Sequence, residues 1–163
     1  MNIAIFRLAA CGVYRKDSLD NCSPSELHQV SSYHSTPLHY AVVGGNEYTV
    51  RHLVAKGCDV NAFNVFHESV LHWACKEGNT KIIRFLLRNN ATPNTLDSEG
   101  NTPMHWAAEY NHGKVIRLLA EYGGLSSQSI RNDEYQTPLQ VAKLNNSRKA
   151  SRALKKGLLL LPL

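Results

Sequence analysis

Residues 102–105 read Thr-Pro-Met-His, and this short pattern occurs four times along the chain. The first two steps between copies are 33 residues long and the third is 35, so two extra residues precede the last copy. A fixed period of this length indicates a chain built from repeated supersecondary units. The copies are Thr36-Pro37-Leu38-His39, Ser69-Val70-Leu71-His72, Thr102-Pro103-Met104-His105 and Thr137-Pro138-Leu139-Gln140.

Each copy has the features of a helix start. Thr or Ser at the N-cap offers a side-chain oxygen to the free N–H groups of the first turn. Pro suits the first helical position, where its missing N–H costs nothing. Gly or Asn is found nine places after each cap, and both residue types tolerate the left-handed conformation that ends a helix. The pattern therefore predicts four short helices, which end near Gly45, Gly78, Asn111 and Asn146.

A second helix is predicted after each of the first three, because apolar residues recur there at helical spacing. The fourth copy has Ala150 and Ser151 where larger apolar residues would be expected. A polar outer surface suits the terminal repeat of a stack, so we interpret residues 148–156 as a capping helix. The apolar stripes are Val50, Leu53 and Val54; Ile82, Ile83, Leu86 and Leu87; and Val115, Ile116, Leu118 and Leu119.

The period, the T-P-L-H pattern, the Ala residues five places after each cap and the turn-rich exit at residues 56–61 resemble the ankyrin repeat. These Ala residues are Ala41, Ala74, Ala107 and Ala142. The resemblance covers residues 33–156 and implies an all-α solenoid of helix-turn-helix repeats with β-turn fingers. Before it lies an N-terminal segment, 1–32, which is either a degenerate capping repeat with a helix near residues 3–14 or partly disordered. The expected units are 33–64, 65–97, 98–132 with the two-residue insertion, a C-terminal capping repeat at 133–157 and an apolar tail at 158–163.

As a family, ankyrin repeats bind other proteins through the finger tips and the concave face of the first helices, and they carry no chemistry of their own. Tyr40, Trp73 and Trp106 share one position in successive repeats. Two interpretations of this row stay open: packing between neighbouring helices, or contact with a partner. The resemblance places partner-binding side chains at Tyr33, Tyr40, Phe66, Glu68, Trp73, Glu77, Asn101, Trp106, Glu109, Tyr110 and Tyr135.

Catalytic, cofactor and metal sites are not expected. The resemblance assigns His39, His72 and His105 to hydrogen bonds with backbone between repeats. A zinc site at His34 and His67 would need two further ligands in register. No nucleotide-binding glycine loop is present in the sequence. Cys58 and Cys75 occupy positions that the family fills with Ala, so both are expected to be small buried residues.

The charge of the chain is concentrated near its C-terminus. The net charge is +5 over 163 residues, and residues 143–156 contain six bases and no acid. The remaining residues carry 12 bases and 13 acids. A solvated cap is the interpretation we favour, and nucleic acid or anionic lipid is the alternative partner for this helix. Phosphate or lipid binding would weaken steeply with ionic strength, whereas a cap would not.

The expected partner is another protein, bound by a monomer that acts as an adaptor, scaffold or inhibitor. Apolar residues make up 43% of the chain and charged residues 19%, which suits one folded domain. No apolar run reaches the ~18–20 residues that cross a bilayer. Four Cys residues without a C-x-x-C pair favour a reducing compartment, so we expect a soluble intracellular protein, cytoplasmic or nuclear. Asn-rich turns are compatible with an effector in a host cytoplasm.

Overall fold

The structure is a computed structural model that describes residues 9–10 and 24–158. Ala9 and Ala10 are helical. The remaining elements, in chain order, are α1 Pro24–Leu27, α2 Pro37–Gly44, α3 Glu47–Ala55, α4 Val70–Glu77, α5 Thr80–Arg88, α6 Pro103–Glu109, α7 Gly113–Glu121, a 3-10 helix Gly124–Gln128, α8 Pro138–Leu144 and α9 Arg148–Leu158.

The helices from α2 onward form two layers. The first helices of the repeats, α2, α4, α6 and α8, pack against one another in that order, and the second helices, α3, α5, α7 and α9, do the same behind them. Each second helix also packs against the first helix of its own repeat. Within the described residues, extended segments pair only at an isolated bridge between Phe63 and Ser69. The predicted all-α repeat solenoid is confirmed.

Both ends of the first helices are where the sequence predicts them. Thr36, Ser69, Thr102 and Thr137 are the N-caps, and three of them are followed by Pro at the first helical position. Gly45 and Gly78 end α2 and α4 with φ of 70° and 74°. Asn111 and Asn146 have φ of 63° and 54°, two residues beyond the ends of α6 and α8. Local chemistry therefore sets the length of each helix.

One continuous hydrophobic core runs through the stack. The predicted stripes of α5 and α7 are buried, and in α3 Val50 and Leu53 are buried whereas Val54 is half-buried. Ala150, Ala153 and Leu154 of α9 are buried, and α9 packs on α7. Its small side chains cover the last apolar surface while its outer face stays charged, as a terminal repeat requires.

A 3-10 helix that the sequence analysis did not predict follows α7, within the longer third step of the repeat. Ser127 and Gln128 of this helix are buried. The side-chain amide of Asn94 donates to the carbonyl of Gly123 at 3.1 Å, and its oxygen accepts from the hydroxyl of Ser127. The longer connection is therefore part of the packed stack.

The predicted helix near residues 3–14 lies outside the described residues except at Ala9 and Ala10. Ala9 is fully buried, and its carbonyl oxygen would lie 2.6 Å from a Cβ on Gly44. The short helix α1, with Leu27 buried, was not predicted. Cys11, Cys22 and the tail beyond Leu158 lie outside the described residues. None of the helices in the described part is long and apolar enough to cross a bilayer.

Candidate functional site

Four fingers precede the first helices, at residues 31–35, 64–68, 97–101 and 132–136. A short polar side chain at the base of each finger accepts hydrogen bonds from backbone within the finger. Asp97, for example, accepts from the backbone N–H groups of Glu99 and Asn101 at 2.9 and 2.8 Å. The fourth residue of each finger is left-handed, with φ of 57° at His34, 55° at His67, 73° at Gly100 and 59° at Tyr135.

Neighbouring fingers are joined by backbone hydrogen bonds. The N–H of Val65 donates to the carbonyl of Tyr33 at 3.0 Å, and that of Ser98 donates to Phe66 at 2.9 Å. The N–H of Asp133 donates to the carbonyl of Glu99 at 3.0 Å. The fingers therefore form one continuous row. Along it, equivalent tip positions change from aromatic to acidic, in the order Tyr33, Phe66, Glu99 and Glu134.

The buried histidines join successive repeats, as the resemblance implied. Nδ1 of His72 accepts from the backbone N–H of Ser69 at 3.1 Å, and its Nε2 donates to the carbonyl of Asn101 at 3.0 Å. His39 and His105 make equivalent bonds. Burial lowers the pKa of all three rings, that of His39 to about 4. The rings are therefore neutral structural groups at pH 7.

The aromatic row belongs partly to the core and partly to the surface. Tyr40, Trp73 and Trp106 are half-buried and pack against the core cluster. The rings of Tyr40 and Trp73 meet edge to face, with centroids 5.8 Å apart. Both Trp residues donate from Nε1 to a finger carboxylate: Trp73 to Glu68 at 2.8 Å and Trp106 to Asp97 at 2.9 Å. The two Trp side chains also line a surface groove of about 200 Å³.

The other side chains predicted to bind a partner fall into two groups. Glu68 and Asn101 are half-buried and hydrogen-bonded within their own fingers, Glu68 to Asn64 at 2.6 Å and Asn101 to Asp97 at 3.3 Å. The rest are exposed to solvent at the finger tips or the ends of first helices. These are Tyr33, Phe66, Glu77, Glu109, Tyr110 and Tyr135.

An acidic groove of about 430 Å³ lies between the third and fourth repeats. Glu99, Glu109, Asp133 and Glu134 line it, together with amide side chains, and no base contributes to its lining within the described residues. Burial and the charge of Glu99 raise the pKa of the Glu109 carboxyl, whereas the nearby Lys76 lowers it. The groove therefore has a negative potential and would favour a cationic group.

The residues at the base of the fingers were not among the predicted site residues. Asn64, Asp97 and Asn132 hold the backbone of three fingers, and Asp97 also accepts the hydrogen bond from Trp106. These three positions recur with the same 33- and 35-residue steps as the helix caps. This spacing could have revealed them.

Chemically reactive groups are scarce in the described part of the chain. Cys58 and Cys75 are free thiols and are buried, and burial raises the pKa of Cys58 to about 11 and that of Cys75 further. Both thiols are therefore protonated and weakly nucleophilic at neutral pH. Over the same residues, no group of three or more His, Cys, Asp or Glu side chains could hold a metal ion.

Stacked helix pairs joined by hydrogen-bonded fingers define a repeat-solenoid protein. Two family models, both described as ankyrin repeats, match the chain at residues 63–132 and 38–87. Together they span residues 38–132, and the chain belongs to the ankyrin-repeat family. The chain has no significant match among curated proteins. Ankyrin repeats are generally protein–protein interaction modules and typically have no catalytic activity.

Proposed function

We propose that this chain is an adaptor, scaffold or inhibitor that acts as a monomer and binds another protein against its fingers and first helices. One observation carries the proposal: among the second-helix side chains that the structure describes, which end at Lys156, Tyr48 is the only exposed large apolar one. The others lie on fingers, loops and first helices, and clustered exposed apolar groups are typical of interaction surfaces. They include Tyr33, Val43, Phe66, Tyr110 and Tyr135.

The conformation of Tyr135 supports this surface. Its side chain is 79% exposed, so it gains little from burial, yet its φ is 59°. A bulky residue in this region costs on the order of 1–3 kcal/mol, and such residues concentrate at functional sites. We infer that the fourth finger presents this ring to a partner, which would bury it.

The distribution of aromatic and acidic side chains along the fingers indicates which chemical groups a partner would need. The tips of the first two fingers carry Tyr33 and Phe66, whose rings lie 5.9 Å apart. The acidic groove lies at the other end of the same row. A partner segment with apolar side chains at one end and Lys or Arg at the other would complement both halves.

The test is capture from a cell lysate by the immobilised protein, with mass spectrometry of what is retained. Combined replacement of Tyr33, Phe66 and Tyr135 by Ala should remove the captured partner and leave the thermal unfolding midpoint unchanged. Such a partner would bury about 1,600 Å² in total. Tyr48→Ala is the matched control, because this Tyr is exposed on a second helix. Capture that survives the triple replacement, or is lost with Tyr48→Ala, would place the binding surface elsewhere.

We also propose an intracellular location, in the cytoplasm or nucleus. The buried free thiols of Cys58 and Cys75 support a reducing compartment. A narrower version is an effector that acts in a host cytoplasm. Tagged protein produced in eukaryotic cells should then co-purify with a host protein, and the fingertip triple variant should not.

A further inference from the structure

An arginine is present at the same place in every second helix. Arg51, Arg84, Arg117 and Arg152 are each the fifth residue of α3, α5, α7 and α9. All four are exposed. Helices that pack side by side lie about 8–10 Å apart, so these side chains form a row along the back of the stack. We call this row the arginine ladder.

A second row of positive charge runs beside the arginine ladder. Lys81, Lys114 and Lys149 are the second residues of α5, α7 and α9, and all three are exposed. Each Lys precedes a ladder Arg by three residues, which brings the two side chains to the same face of the helix. The last three second helices therefore present Lys and Arg in pairs.

Few acidic residues oppose these charges. Helices α5, α7 and α9 contain ten Lys and Arg residues, three, two and five respectively, and one acid, Glu121. Arg51 on α3 differs, because its guanidinium pairs with Glu47 at 2.7 Å. Bases on α5, α7 and α9 therefore exceed acids by nine.

The cations also converge on two adjacent grooves. A groove of about 510 Å³ is lined by Lys114, Arg117, Lys149 and Arg152. A second, of about 530 Å³, shares Arg152 with the first and is also lined by Arg148, Lys155 and Lys156. Neither lining includes a carboxylate among the described residues. Further along the face, Arg88 donates to the hydroxyl of Tyr122 at 3.3 Å, and this bond lowers the pKa of that hydroxyl.

We infer that the face formed by α5, α7 and α9 binds the phosphodiester backbone of a nucleic acid. Guanidinium and ammonium groups in regular rows suit successive phosphates, and release of condensed counterions would drive the binding. Along the sequence the net positive charge is concentrated at residues 143–156, whereas the stack joins that end to the exposed bases of α5 and α7. Contacts to phosphates carry no sequence information directly, so we expect binding that is independent of nucleotide sequence.

Over its described side chains, this face lacks exposed large apolar groups, which favours nucleic acid over a bilayer as its partner. Peripheral attachment to a membrane combines basic charge with apolar side chains that enter the headgroup region. Among the side chains of α5, α7 and α9 that the structure describes, which end at Lys156, no large apolar side chain is exposed. The exposed apolar side chains are concentrated on the finger side instead. The chain would therefore hold a protein and a nucleic acid on different faces.

The test is fluorescence anisotropy of a labelled DNA duplex, titrated with the full chain at several salt concentrations. The wild-type protein should bind, with affinity that falls steeply between roughly 50 and 200 mM salt. Arg117→Gln combined with Arg152→Gln should weaken binding at least about tenfold and reduce the slope of log K against log salt by about two. Arg84→Gln with Arg117→Gln is a second pair, with the same expected effect.

Two controls distinguish binding by the arginine ladder from binding that depends only on the net charge of the protein. Lys76→Gln with Arg131→Gln removes the same charge from the first-helix and finger side and should leave binding unchanged. Arg51→Gln, at the ladder position already paired with Glu47, should have a smaller effect than Arg117→Gln. The inference is overturned if the control pair weakens binding as much as the ladder pair, or if the duplex does not bind at low salt. It is also overturned if vesicles of phosphatidylserine and phosphatidylcholine bind while the duplex does not.

Discussion

Nε1 of Trp106 donates a hydrogen bond to Oδ2 of Asp97 at 2.9 Å, which joins the aromatic row to the base of the third finger. The other carboxylate oxygen of Asp97 accepts from the backbone N–H groups of Glu99 and Asn101. Asp97 is buried, although it is charged. One side chain thus holds the finger and orients the Trp beside the candidate binding surface.

Replacement of Asp97 should therefore destabilise the protein. Asp97→Ala removes the acceptor of four N–H donors and should lower the free energy of unfolding by about 2–3 kcal/mol. Asp97→Asn should cost less, because Asn64 and Asn132 hold their fingers with an amide oxygen. Urea denaturation measures both. An Ala variant as stable as the wild type would show that these hydrogen bonds contribute little.

Stability should fall as the pH is lowered from about 6.5 to about 4. Burial lowers the pKa of His39, His72 and His105 in the folded state, while the unfolded chain keeps a value near 6.5. As the pH falls, the unfolded state therefore binds protons first and is favoured. Thermal unfolding midpoints at several pH values across this window measure the effect.

His39→Gln offers a matched variant for the pH prediction. Gln140 occupies the histidine position of the last repeat and accepts from the backbone N–H of Thr137 at 2.8 Å, so a Gln can keep the cap. The variant should be somewhat less stable at pH 7, because it lacks the ring that donates to the carbonyl of Glu68. Its stability should also fall less on acidification than that of the wild type. An identical pH profile would show that His39 does not contribute to it.

Two opposite substitutions should test the left-handed finger position. Gly100→Ala should destabilise by about 1–2 kcal/mol, because φ is 73° and the new Cβ would lie 2.8 Å from Oδ1 of Asp133. His67→Gly, at φ of 55°, should leave stability unchanged or raise it by up to about 1 kcal/mol. Chemical denaturation compares them. Stabilisation by Gly100→Ala would contradict the assigned strain.

Replacement of Trp106 should mainly affect folding, whereas replacement of Tyr110 should mainly affect binding. Trp106→Ala removes a half-buried ring that packs on the core and should lower the free energy of unfolding by about 3 kcal/mol. Tyr110 is 41% exposed, so Tyr110→Ala should change stability by less than about 0.5 kcal/mol. Once a partner is captured, calorimetry should show weaker binding for Tyr110→Ala. If Tyr110→Ala unfolds the protein, this residue belongs to the core.

Local chemistry allowed much of the fold to be predicted. An N-cap such as Thr102, a helix end such as Asn111 and the stripe of α7 depend on residues a few places away, so the repeat reveals them without coordinates. The exposure expected for Tyr33 and Tyr135 follows in the same way. The 3-10 helix after α7 escaped prediction, because it forms where the chain must reach the next finger and pack against Asn94.

Contacts between the fingers and the first helices could only be seen in the tertiary structure. The sequence determined that Trp73 and Trp106 share one position, whereas only the tertiary structure decided that Glu68 accepts from one and Asp97 from the other. The arginine ladder is also present in the sequence as a period. Whether these Arg side chains form an exposed row depends on which face of each second helix remains outside the core. Packing across the whole stack decides which face that is.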